Sequence, residues 1–288
     1  MRPSGHRIAT LIAAWSVAVG TAWGAPLASK PARIMSIMLC TDSLLLDLVE
    51  PSRITSITYL SRSENGSYRW PQAAHIRINH GLSEEVLAEH PDLVLAGSYT
   101  TPATRALLKR LKMPLLEVPP ANNFAEIREV TRLVGRAVGE PERAERLLMK
   151  MDATLQELAA QQPNPLIRVA SWNGGGSVPG EDTLFTAILH AAGGTNIAAV
   201  PGRAGSYFGM EQLLLARPEV LAYGKATSAR PSLRTDADQH PLLLKLYGKR
   251  RVTYPEILYS CGVPESAAAA RELHTLLLQV MQSPEPRP

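Results

Sequence analysis

The sequence is poor in cysteine, in aromatic residues and in long apolar runs, and each shortage removes a class of function. Only two cysteines, Cys40 and Cys261, occur in 288 residues. That is too few for a disulfide-rich scaffold, and their spacing matches no zinc site. The seven histidines are scattered without an H-E-x-x-H pattern, so no metal ligand is assigned. Gly174-Gly175-Gly176 lacks the G-x-G-x-x-G spacing and the Lys-Ser/Thr of a phosphate-binding loop; it is a flexible loop of close approach. No G-x-S-x-G and no paired acid–base motif is present. No catalytic residue and no cofactor are therefore assigned. A formal charge of +4 is too small to argue for nucleic acid or an anionic membrane surface.

The one extended apolar stretch is Ile8 to Trp23, behind the positive Arg2 and Arg7. Ala22 and Gly24 are small residues two apart, which suits cleavage after Gly24. The run is too short for a membrane anchor, so residues 1–24 are expected to be a signal peptide that exports the chain to a bacterial periplasm. Losing Arg2 and Arg7 brings the charge to about +2. No cysteine follows the cleavage region, so a lipid anchor is not expected.

Beyond it, strand and helix patterns alternate. Arg33 to Leu39 reads as a strand, Leu44 to Val49 as a helix behind Asp42, and Ile54 to Leu60 as a second strand with period-two alternation. Ser61 to Ala74 is a loop. Ser83 to Glu89 is a short helix, Leu93 to Ala96 a buried strand, Pro102 to Leu111 a helix and Leu115 to Val118 a strand. Such alternation predicts α/β architecture with parallel sheets. From Phe124 to Gln161 apolar residues recur at three and four, interrupted by Gly139 and Pro141, so a kink or two abutting helices is expected. Over that length a helix spans on the order of 50 Å, which suits a spine between two lobes. Alternation resumes at Ile167.

One unit occurs on each side of this spine. Glu84-Glu85-Val86-Leu87-Ala88-Glu89-His90-Pro91-Asp92-Leu93-Val94-Leu95-Ala96-Gly97 parallels Glu211-Gln212-Leu213-Leu214-Leu215-Ala216-Arg217-Pro218-Glu219-Val220-Leu221-Ala222-Tyr223-Gly224. Each sets Glu seven residues before Pro, an acid after it, and an apolar strand ending in Gly. The pair implies an N-terminal lobe over 33–120, a bridging helix over 121–162 and a C-terminal lobe over 166–288.

These paired units, the strand-loop opening at Ile34 to Leu48 and the central helix resemble the substrate-binding proteins of vitamin B12 and ferric-siderophore ABC importers. The resemblance covers nearly the whole exported chain, and Leu82 to Gly97 is its most specific piece. It implies two Rossmann-like lobes joined by a long central helix (the class III periplasmic binding protein fold). It also implies a monomer that captures a metal chelate in the interlobe cleft: a ferric siderophore, a corrinoid or haem. By the same resemblance Glu84 and Glu211 dock onto permease arginines. The sequence departs from B12 binders in carrying Ile78 where an aromatic is expected. A chelatase or nitrogenase-like enzyme of similar fold is the rival reading, with a periplasmic ligand sensor as a third.

In α/β lobes ligands meet the loops at strand C-termini. The candidate ligand residues are Cys40, Thr41, Asp42, Arg62, Trp70, Tyr99, Trp172, Asn173, Tyr207, Phe208, Tyr259 and Cys261. Their aromatic faces suit a large planar guest, and Arg62 and Arg69 suit a carboxylate or catecholate. A Cys40–Cys261 disulfide would pin the clamp shut, so the pair is expected to be free thiols touching the ligand or its metal, or else two small buried residues.

Overall fold

A computed structural model of the chain describes residues 30–64, 66–172, 176–201, 205–225 and 239–283. The expected signal peptide lies outside these residues. Residues 31–288 form one compact unit, and its architecture is α/β with two parallel sheets.

The first sheet holds β1 (Ile34–Ser36), β2 (Ile54–Thr58), β3 (Ile78–Asn79), β4 (Leu93–Gly97) and β5 (Leu115–Val118), in the order β3-β2-β1-β4-β5. The helices α1 (Leu39–Leu48), α2 (Trp70–Ala73), α3 (Ser83–Glu89) and α4 (Pro102–Arg110) connect them. Next come α5 (Phe124–Ala137) and α6 (Pro141–Ala160). The second half runs through β6 (Ile167–Ser171), β7 (Gly176–Pro179), α7 (Leu184–Ala191), β8 (Gly194–Asn196) and β9 (Gly205–Phe208). It then continues through α8 (Met210–Ala216), β10 (Val220–Gly224), α9 (Pro241–Tyr247), β11 (Arg251–Tyr254) and α10 (Ser266–Met281). The second parallel sheet has the order β11-β10-β6-β8, and β7 pairs antiparallel with β9.

Both faces of each sheet are covered, as parallel sheets require. Successive residues of one strand therefore enter different cores. Ile34, Leu93 and Leu95 join a core that also takes Val169, Val220 and Ala222 from the second sheet. Met35, Val94 and Ala96 turn the other way, onto Val86 of α3 and Leu108 of α4. Ala170, Leu221 and Tyr223 turn onto Leu213 of α8 and Leu243 of α9. The two sheets thus share one apolar core, and helices fill the space between their inner faces.

The helical stretch after β5 does not continue straight. Left-handed Gly139 (φ +73°) ends α5, and Pro141 starts α6. The two helices then run back along each other. Arg128 reaches Asp152 at 2.6 Å, Arg132 reaches Glu145 at 2.7 Å, and a Cβ on Gly135 would lie 2.5 Å from that of Ala144. The ~50 Å rod is therefore corrected to an antiparallel hairpin. The central helix is α6 alone, 20 residues and about 30 Å long. Its start is tied to the first half by Arg53–Glu140 at 2.5 Å and Arg143–Glu50 at 2.7 Å. Its end is tied to α10 by Arg271–Glu157 at 2.6 Å. Between them Ala144, Leu148, Met151 and Leu158 enter the shared core.

The sequence repeat is a structural repeat in detail. Helices α3 and α8 both end on a left-handed residue, His90 (φ 46°) and Arg217 (φ 47°), directly before Pro. The acid after Pro then accepts a backbone N–H from the start of the neighbouring strand: Asp92 Oδ1 from Arg33 at 3.0 Å, Glu219 Oε2 from Arg168 at 2.8 Å. The same two arginines return their guanidinium to the helix C-terminus, Arg33 to Glu89 O at 2.5 Å and Arg168 to Ala216 O at 2.6 Å. This satisfies carbonyls that a helix end leaves without partners. Glu84 and Glu211, both exposed, consequently occupy equivalent second positions of equivalent helices.

Leu148 is 1% exposed at the middle of the shared core. Leu148→Ala should lower unfolding free energy by about 2–5 kcal/mol in urea melts, whereas Met149→Ala, on the solvent side of α6, should stay within about 0.5 kcal/mol.

Candidate functional site

In a parallel sheet a crevice opens where consecutive strands depart in opposite directions. In the first sheet this happens between β1 and β4. The segments leaving their C-terminal ends are Ile37 to Cys40 and Ser98-Tyr99. Gly97 ends β4 because Met38 lies across it; a Cβ there would sit 2.2 Å from the Met38 Sδ. Its repeat partner Gly224 ends β10 under Glu256, 2.1 Å from where a Cβ would be. The glycine closing each repeat thus makes room for a side chain folding over the strand end.

A pocket occupies this switch point. Met38, Cys40, Leu44, Ser98, Tyr99 and the segment Val118 to Ala121 line it from the first half, and Ser260 and Gly262 from the second. It encloses about 40 Å³, room for a few waters and well below the ~300–1,000 Å³ of small-molecule sites. Tyr99 is 85% exposed on its rim.

The two sulfurs are bonded. Cys40, on the first turn of α1, and Cys261, beyond β11, form a disulfide with Cα atoms 5.1 Å apart. The expectation of free thiols is corrected: both loops leave the C-terminal ends of their sheets and meet, which the separation of 221 residues concealed. Beside the bond, Arg69 ion-pairs with Asp47 of α1 at 2.5 Å and approaches Glu265 of the second half at 3.9 Å. Tyr68 donates to Asp47 at 3.0 Å. Arg69 is therefore held by protein carboxylates, not offered to a ligand.

Several other candidates are placed differently from expectation. Thr41 and Asp42 are buried beneath the loop after β2. Asp42 Oδ2 accepts from the Thr58 N–H at 3.0 Å, the Thr58 hydroxyl at 2.5 Å and the Ser61 hydroxyl at 2.8 Å. Among the described residues its Oδ1 has no hydrogen-bond partner. Burial raises its pKa to about 7 against these hydrogen bonds, so near neutrality it carries a proton much of the time. Arg62 donates to the Ile76 carbonyl at 2.5 Å and braces its own loop. Trp172 and Phe208 are buried in the outer core of the second half with Leu213 and Leu243. Tyr259 packs on Tyr254 and Phe185, with ring centroids 4.6 and 5.9 Å away. Burial raises the pKa of its hydroxyl well above the ordinary tyrosine range. Asn173 lies outside the described residues. Trp70 and Tyr207 are exposed, at 41% and 74%.

Sequence reading overlooked the Pro119-Pro120-Ala121 wall and the close approach of Gly262 to Ala121. A Pro-Pro pair directly after a predicted strand was the available signal for the wall. Also overlooked were Tyr59 and His80 at the ends of β2 and β3. Their rings stack at 5.2 Å, and His80 Nδ1 lies 3.0 Å from Glu85 Oε1.

The family model for periplasmic binding proteins matches residues 34–239. A sequence search of curated proteins found no match. Solved structures of similar fold include the periplasmic haem-binding protein HutB of Vibrio cholerae, with TM-score 0.72 and 16% identity, covering 85% of this chain and 98% of that one. The apo haem-binding protein RhuT of Roseiflexus sp. RS-1 gives 0.69 and 20%, covering 86% and 98%. The vitamin B12 binding protein BtuF of Vibrio cholerae gives 0.68 and 17%, covering 88% and 99%.

Asp42 generates a testable pH dependence. Its folded pKa of about 7 exceeds the ordinary 3.8. The native state therefore keeps a proton that the unfolded state has lost, and stability from this group is full below about pH 4 and declines as pH rises to about 7. Thermal melts across that window should show a smaller decline for Asp42→Asn than for the parent chain.

Proposed function

The chain belongs to the periplasmic binding protein family, and on that premise we propose that it captures a metal chelate between its two sheets and delivers it to the permease of an ABC importer. Members of this family are binding proteins, not enzymes, and they work in the periplasm. We assign the lobes to residues 33–120 and 166–288, the bridge to α6 within the expected 121–162 segment and an export signal to 1–24, with the exported chain acting as a monomer.

The observation that carries the ligand reading is the exposed Tyr99 beside the β1/β4 switch point, where residues of both halves line a small pocket of about 40 Å³. Tyr99, Tyr207 and Trp70 are large aromatics left facing water. Unpaired aromatic faces favour a flat, polarisable guest over a small ion. The guest is a ferric siderophore, a corrinoid or haem; solved structures of similar fold include haem- and vitamin B12-binding proteins. Exposed Glu84 and Glu211, at equivalent positions of repeated helices, support docking. Two carboxylates held by the same scaffold meet two arginine sites on a permease.

Titrations with haemin, cyanocobalamin and a ferric catecholate, followed by absorbance and calorimetry, should show one guest bound per chain without turnover. Tyr99→Ala should weaken that binding at least roughly tenfold, about 1.4 kcal/mol. Failure of all three probes to bind sinks the ligand class. Glu84→Ala with Glu211→Ala should leave binding unchanged and abolish uptake by cells carrying the importer; normal uptake removes the docking assignment.

A further inference from the structure

We infer that His80 is an axial ligand for the metal of the captured guest, and that the guest is therefore a flat tetrapyrrole complex with an open axial position. The inference deepens the capture role proposed above and rests on it.

Placement comes first. The five strands of the first sheet run parallel, so their C-terminal ends share one edge. Ligands of α/β folds meet such an edge. Along it, from β3 to β4, stand His80, Tyr59, Met38 and Tyr99. At about 4.8 Å per strand step, the ends of β3 and β4 lie on the order of 14 Å apart. That span suits a macrocycle rather than a small ion. His80 turns more than half of its side chain to water, and Tyr59 is half exposed.

His80 is exposed yet firmly held. Buried Asn79 donates to the Ser36 carbonyl at 2.9 Å and to Ser56 Oγ at 3.0 Å, and its Oδ1 accepts the Gly81 N–H at 3.0 Å. Gly81 turns the chain at φ +72°. Glu85 Oε2 accepts the His80 N–H at 2.8 Å and the Leu82 N–H at 3.1 Å. The ring is fixed as well. Tyr59 stacks on it, and Nδ1 lies 3.0 Å from Glu85 Oε1. An ionised carboxylate only accepts, so Nδ1 carries the proton and Nε2 carries the lone pair. A carboxylate behind the far nitrogen is how metal-ligating histidines are oriented and made more basic.

The repeat separates this contact from helix capping. In the second half Gln212 caps α8 through the Gly209 N–H at 3.1 Å, as Glu85 caps α3 through Leu82. Tyr207 takes the position of His80, two residues before the cap, and is likewise exposed. A helix start of this kind needs no carboxylate on a ring, so the Glu85–His80 contact is additional. The halves thus present an imidazole and a phenol from equivalent positions, both side chains that bind haem iron. The carboxylate stands behind the imidazole, and ligation is assigned there. The neutral ring gives its Nε2 lone pair to the metal and displaces an axial water; the proton stays on Nδ1. One histidine leaves the remaining positions to the guest, as the four nitrogens of a tetrapyrrole fill them. A ferric siderophore whose chelator already saturates the iron has no position to offer.

Absorbance and electron paramagnetic resonance during titration with haemin and, separately, aquocobalamin test this. At least one should bind with the spectrum of an imidazole-ligated metal. His80→Gly should lose that signature and bind roughly tenfold or more weakly, and free imidazole should restore the parent spectrum. Glu85→Gln keeps the cap, as Gln212 does, but makes the imidazole a weaker donor, so the reduction potential of the bound metal should rise. A tetrapyrrole that binds with the same spectrum before and after His80→Gly overturns the ligation and leaves the capture role standing. Binding of a ferric catecholate but of neither tetrapyrrole also overturns it. Failure of all three probes removes the capture role as well.

Discussion

The structure depends on the burial of one stripe of α6, formed by Ala144, Leu148, Met151 and Leu158, in a core that both sheets share. Each sheet must cover two faces, and the inner faces find cover in the same layer of helices. This fixes where the sheets stand relative to one another, and so brings the C-terminal ends of their strands together. The pocket, the disulfide and the position of Tyr99 at the pocket's edge are consequences of that placement. A helix that only linked two independent bodies would leave their spacing to a hinge. Here the spacing is a packing property, and interiors packed as tightly as crystals resist continuous deformation.

Polar chemistry then refines what packing sets. Arg33 and Arg168 close the two repeats by the same device, a guanidinium on a helix C-terminus and a backbone N–H on an acid after proline. Asp42 shows the opposite economy. It is buried, gathers three donors on one oxygen, and keeps a proton because the surroundings disfavour its charge. Its role is to secure the loop after β2, whose neighbours Tyr59 and Trp70 stand at the surface.

Much of the fold was legible in the chain. Alternating strand and helix patterns placed Ile34, Ile54, Leu93, Leu115 and Ile167 in strands, because a period of two and a period of three to four are local properties. The repeat at Glu84 and Glu211 was legible for the same reason: Pro after a left-handed helix end leaves a compositional trace. The site was read less well. Tyr99 and Tyr207 stand at the surface, whereas Trp172 and Phe208 turn into the core. On a strand end, one residue's shift in direction decides between cleft and interior, and no local pattern reports it.

Residue order by itself determined most of the elements, the parallel pairing of the two main sheets and the repeat, since these follow from periodicity, turn chemistry and chain direction; α2 and β7, both in stretches read as loops, and the antiparallel β7–β9 pair were not among them. Only the tertiary structure decided that α5 folds back on α6, that the two halves share one core, and that Cys40 meets Cys261. Those outcomes depend on contacts between residues tens to hundreds of positions apart. Such contacts are chosen by the packing of whole faces, which no short stretch of sequence contains.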